Sequence, residues 1–133
     1  MPARTGAQFL EGLKRNPPNI YIDGERVDDP TSHPATASIA RSIAELYDLQ
    51  HQQGLVDVMT YESPSTGERV GLSFMEPETR EDLTRRSAMH KVWADHSLGF
   101  IGRSPDYLNV NLMAAARAQS YFERCDPRFG ENM

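Results

Sequence analysis

Proline and glycine interrupt this chain so often that they set where its elements can begin and end. Asn16-Pro17-Pro18, Asp23-Gly24, Gly54, Ser63-Pro64-Ser65-Thr66-Gly67, Pro77, Leu98-Gly99 and Ser104-Pro105 all fall between its apolar stretches. Each proline removes a backbone donor and biases the preceding residue away from helical geometry, and each glycine admits the left-handed conformations that end helices and close hairpins.

Between these stops, Thr5 to Arg15 carries Phe9, Leu10 and Leu13 at helical spacing and predicts a short amphipathic helix. Ile20 to Val27 places β-prone residues on both sides of Asp23-Gly24, the chemistry of a two-residue hairpin turn. Thr31-Ser32-His33-Pro34 offers cap-capable side chains beside a proline suited to a first helical position. The helix expected there has Ile39, Ile43, Leu46, Tyr47 and Gln50 on one face and runs to about Gln53, before Gly54. Val56–Tyr61 and Arg69–Phe74 read as a second hairpin around the Pro64–Gly67 turn.

After Pro77, Thr79 and Asp82 form a capping pair for a helix with Met89, Val92, Trp93 and His96 on one face, ending at Leu98-Gly99. His96 on that face reads as a satisfied core or rim histidine. The last helix starts at Ser104-Pro105-Asp106 and presents Leu108, Leu112, Ala115, Ala116 and Gln119 as a packing side. Beyond Phe122 the pattern fades and nothing caps Glu131-Asn132-Met133, so the end reads as a cut. The sum is a mainly α chain with small β-hairpins, a single domain over residues 1–133.

Composition excludes several function classes. With 14 Lys+Arg against 19 Asp+Glu the net charge is -5, which argues against nucleic acid as a partner. Cys125 is the only cysteine, so neither an internal disulfide nor a Cys-rich metal site can form, as suits a reducing cytoplasm. No window approaches the ~20 apolar residues of a membrane span, and the opening MPARTGAQFLEG lacks the apolar run of a secretory signal. A cytoplasmic protein with no membrane partner is expected.

No phosphate-binding glycine loop, dinucleotide fingerprint or paired-histidine metal helix is present. Of the four histidines, His33, His51, His90 and His96, the last two lie on different faces of one helix, and no metal site is expected. What remains is the junction Gly99 to Tyr107, where the chain turns directly into a capped helix. Arg103 before the cap and Tyr107 one turn inside can converge near the positive helix end and serve an anion or a polarised oxygen. From pattern alone the favoured reading is the other one, in which Arg103 pairs with a surface carboxylate while Tyr107 packs in the core.

The order of Arg4-Thr5-Gly6 with Phe9-Leu10, then Ile20 to Val27, Thr31-Ser32-His33-Pro34, Leu46-Tyr47-Asp48 and finally Gly102-Arg103-Ser104-Pro105-Asp106-Tyr107 resembles the N-terminal region of the 4-hydroxyphenylacetate 3-hydroxylase family, the oxygenase components of 4-hydroxyphenylacetate 3-monooxygenases. The resemblance spans nearly the whole chain. It implies a two-component phenol hydroxylase: a separate flavin reductase supplies reduced FAD, and the oxygenase uses dioxygen to hydroxylate ortho to the phenol hydroxyl of a substrate such as 4-hydroxyphenylacetate, giving 3,4-dihydroxyphenylacetate. The fold implied is similar to acyl-CoA dehydrogenases: an N-terminal helical domain, matched here, followed by a middle β-domain and a C-terminal helical bundle that builds a homotetramer.

By the same resemblance, Arg103 and Tyr107 match the catalytic positions that face the substrate phenol and the oxygen chemistry. The family's catalytic histidine and most flavin contacts correspond to positions after Met133, so the resemblance assigns no flavin-binding residue here, and the 133-residue chain alone is expected to be inactive. Two alternatives stand beside it. One is a non-catalytic, stand-alone helical interaction module. The other is a relative of 4-hydroxybutyryl-CoA dehydratase, whose cluster-ligating cysteines have no counterpart in Gly99 to Tyr107.

Overall fold

The computed structural model describes residues 2–99 and 105–132, with Pro105 and Asp106 described by backbone only. The chain divides into two compact units, Met1–Thr60 and Tyr61–Met133.

The first unit is built on α1 (Gly6–Arg15), the hairpin β1 (Ile20–Ile22) and β2 (Glu25–Val27), α2 (Ala37–Leu49) and the single turn α3 (Val56–Met59). Thr5 caps α1 through a capping box, its hydroxyl accepting from the Gln8 N–H while the Gln8 side chain accepts from the Thr5 N–H. The hairpin pairs Ile20 with Val27 and Ile22 with Glu25, and Asp23 and Gly24 both take positive φ, 52° and 85°. That is the two-residue turn expected of an Asp-Gly pair.

Several expectations in this unit are corrected. Helix α2 starts at Ala37, not beside Pro34, because Asp29 takes the Thr31 N–H and the hydroxyls of Thr31 and Ser32, while the Thr36 hydroxyl donates to the Pro30 carbonyl. The would-be caps are spent on an Asx-type turn. At its other end α2 stops at Leu49, and the chain tightens into three-residue turns up to Gly54, whose φ is +86°. The buried residues of α2 are Ala40, Ala44 and Leu46, with Gln50 buried just past its end and Ile39 exposed.

Val56–Met59 is helical where a strand was expected. Burial of Met59 and the bond from the Thr60 hydroxyl to the Val56 carbonyl hold that turn. Packing thus overrides the β-propensity of its valines. Only β3 (Thr60–Glu62) and β4 (Arg69–Gly71) pair in the second hairpin, closed through Gly67 at φ +67°, and Leu72–Phe74 forms a tight 3₁₀ turn instead of more strand.

In the second unit α4 (Arg80–Ser97) starts at a capping box between Thr79 and Asp82, as expected, and buries Met89 and Trp93 one turn apart. His96 is exposed, which fits the rim and not the core of its two expected placements. Leu98 and Gly99, both at positive φ, end the helix.

Helix α5 (Pro105–Arg117) packs against the Leu72–Phe74 turn. The side facing inward carries Asn109, Val110 and Met113, so the expected packing side is corrected: Leu108 and Leu112 are exposed, the latter 67%. The last helix is also not continuous. It breaks at Ala118 into α6 (Gln119–Glu123), and a further helix α7 (Pro127–Glu131) follows. Asp126 caps the start of α7 by accepting from the Arg128 N–H, with Pro127 in the first position.

Candidate active site

The motifs spread along the sequence divide by what holds them. Arg4-Thr5-Gly6 and Leu46-Tyr47-Asp48 meet where α1 crosses α2: the Gly6 N–H donates to Asp48 Oδ1 at 2.7 Å, and Phe9 lies on Tyr47 with ring centroids 5.2 Å apart. The Arg4 guanidinium sits 5.9 Å over the Tyr47 ring, and the His51 ring Nε2 meets the Arg4 carbonyl at 3.3 Å. Burial raises the Tyr47 hydroxyl above its usual pKa, against a smaller opposing pull from Arg4. The contacts of this cluster join the two helices and give it a structural role.

Asp29 is likewise structural. The Thr31 hydroxyl and N–H, and then the Ser32 hydroxyl, hold its carboxyl below the usual range. His33 Nδ1 accepts from the Ala35 N–H. Among the described residues no group of histidine, cysteine and carboxylate side chains is arranged to hold a metal ion.

The remaining motif is the junction into α5. The left-handed pair Leu98 and Gly99 turns the chain out of α4, and α5 begins at Pro105. Arg103 lies outside the described residues, so its expected convergence with Tyr107 is not described. Tyr107 stands in the first turn of α5 with 52% of its surface exposed in this chain.

Sequence reasoning missed what lies on the inner side of the same helix. Asn109 Nδ2 donates to the buried Ser73 hydroxyl at 3.2 Å. The one signal for it was an asparagine in a helix interior, where its short amide competes with the backbone and is unfavourable without a partner.

A family model described as "4-hydroxyphenylacetate 3-hydroxylase N terminal" matches residues 5–133. The chain belongs to the 4-hydroxyphenylacetate 3-hydroxylase family. Among its relatives is the 4-hydroxyphenylacetate 3-monooxygenase oxygenase component of Thermus thermophilus, 50% identical over 98% of this chain and 26% of that protein. A crystal structure of such an oxygenase component complexed with FAD and 4-hydroxyphenylacetate superimposes with a TM-score of 0.86 at 52% identity, over 90% of this chain and 25% of that one.

The 4-hydroxyphenylacetate 3-hydroxylase match therefore spans about a quarter of the length of these relatives. An oxygen-tolerant archaeal 4-hydroxybutyryl-CoA dehydratase from N. maritimus shares the fold, with a TM-score of 0.70 at 24% identity over 96% of this chain and 24% of that one. The fold is thus the helical N-terminal portion of an acyl-CoA dehydrogenase-like architecture.

Proposed function

We propose that this chain is the N-terminal part of the oxygenase component of a two-component, reduced-FAD-dependent monooxygenase that hydroxylates 4-hydroxyphenylacetate ortho to its phenol. The observation that carries this reading is the 52% identity and 0.86 TM-score to an oxygenase component holding both FAD and that substrate. The middle β-domain and C-terminal bundle belong to the remaining three quarters of the protein. A separate flavin reductase, a homotetramer and a cytoplasmic location complete the proposal.

The chain's share of the chemistry falls to Arg103 and Tyr107. The Tyr107 hydroxyl donates to the phenol oxygen, and the Arg103 cation favours its phenolate form. A phenolate pushes electron density onto the ortho carbon, the position that receives oxygen. In a water-poor pocket such a fixed cation and donor act far more strongly than in bulk solvent.

One groove of this chain is poorly suited to FAD. The groove of about 580 Å³ lined by Phe74, Glu76, Met113, Arg117 and Glu123 carries two carboxylates that repel a pyrophosphate, and Arg117 is paired with Glu76. We assign the flavin's main binding groups to the rest of the oxygenase, where the cofactor would supply the oxygen transfer.

A chimera tests the proposal: the matched quarter of the Thermus thermophilus relative is replaced by this chain and assayed with a flavin reductase, FAD and 4-hydroxyphenylacetate. Formation of 3,4-dihydroxyphenylacetate is expected. A chimera that folds and assembles like its parent yet makes no catechol overturns it, and favours a non-catalytic module.

A further inference from the structure

We propose that Asn109, through Ser73, is a positioning residue that sets where Tyr107 stands. This rests on the reading of Tyr107 as a residue facing the substrate.

Ser73 belongs to the 3₁₀ turn Leu72–Phe74, beside the fully buried Leu72, and is itself only 4% exposed. Its hydroxyl is therefore fixed to the core of the second unit. Asn109 reaches it at 3.2 Å across 36 residues of sequence. At about 100° per residue, Tyr107 and Asn109 lie about 200° apart around α5. The face that Asn109 pins inward thus leaves Tyr107 on the outward face, where it is 52% exposed.

The other inward contacts of this helix come from Val110 and Met113, both half-buried. Apolar packing of that kind is non-directional and leaves a helix free to rotate or slide by fractions of an ångström. A hydrogen bond to a buried hydroxyl prefers one distance and angle, so it fixes the rotation of the first two turns of α5. A phenol donor displaced by such a shift loses its bond to the reacting oxygen, and misplacement of this order lowers rates without any change in the chemistry available.

The test uses the active chimera with the Thermus thermophilus relative. Asn109→Ala and Ser73→Ala are each expected to lower kcat/KM for 4-hydroxyphenylacetate about fivefold, the equivalent of one ordinary hydrogen bond. The double variant should be no worse than either single one. In a Tyr107→Phe background, Asn109→Ala should add nothing, because the hydroxyl it positions is gone. Ser73→Ala removes a single oxygen atom, so it keeps the test decisive where Asn109→Ala unfolds the start of the helix.

A full further fivefold loss in the Tyr107→Phe background, or a lowered melting temperature with kcat/KM untouched, overturns the positioning role. If Tyr107→Phe alone changes nothing, the reading of Tyr107 fails and the proposal falls with it. If Tyr107→Phe is impaired while Asn109→Ala and Ser73→Ala are normal, only the positioning role fails.

Discussion

The backbone N–H of Gly6 donates to the carboxylate of Asp48 at 2.7 Å, tying the first turn of α1 to the last turn of α2. A carboxylate is the natural partner for the unpaired donors at a helix start. The approach is so close that a Cβ on Gly6 would collide with the Ala44 carbonyl and stand 2.6 Å from Asp48 Oδ2. The glycine of the Arg4-Thr5-Gly6 motif is therefore required by packing and not by its φ angle.

Gly6→Ala should accordingly destabilise the chain by about 2 kcal/mol through overpacking against backbone. Urea unfolding of the 133-residue chain checks this, and Gly12→Ala, at a helix position with open space around it, is the control expected to be neutral or stabilising.

Three aspartates give the chain an acid-sensitive stability. Hydrogen bonds lower the carboxyl of Asp29, chiefly from the Thr31 hydroxyl; of Asp82, chiefly from the Thr79 hydroxyl; and of Asp126, chiefly from the Arg128 side chain. A carboxyl lowered in the folded state contributes stability that is fully present above its unfolded pKa of about 3.9 and is lost as pH falls through the folded value. The urea midpoint should hold steady from pH 7 to 5 and drop below pH 4, and Asp82→Asn should show a shallower drop.

Leu98 adopts φ 52°, a left-handed conformation that costs a branched residue about 1–2 kcal/mol, and its side chain is 82% exposed. Leu98→Gly should relieve the strain with little lost packing and stabilise by about 0.5–1 kcal/mol after the added chain entropy. A higher melting temperature is the expected readout.

Boundaries carried by local chemistry were legible in the sequence: Thr5, Asp23-Gly24, the Thr79 and Asp82 pair, and Leu98-Gly99 all act where their side chains or φ preferences place them. Decisions made by competition between partners or by burial were not. The start of α2 depended on Asp29 claiming the hydroxyls of Thr31 and Ser32, and the helical turn Val56–Met59 on burial of Met59. The inward face of α5 was set by Ser73, 36 residues away, which turned Leu108 and Leu112 outward. Tyr107 stood out as a candidate because Ser104-Pro105-Asp106 is a local helix-start signal in the sequence, while Asn109 and Ser73 form a polar pair that no periodicity announces.

The proposed roles also separate two variants by size. Tyr107→Phe removes one donor and should lose less hydroxylation than Arg103→Ala, which removes the charge. Initial rates of catechol formation in the chimera check the order, and equal losses would contradict it.

The most direct test of the central claim is single-turnover hydroxylation of 4-hydroxyphenylacetate by the chimeric oxygenase carrying Arg103→Ala. If the Arg103 cation stabilises charge on the reacting phenol, the hydroxylation step should slow on the order of a hundredfold while FAD still binds. A surface ion partner would instead cost at most about 1 kcal/mol of stability, and an unchanged hydroxylation rate would contradict the account.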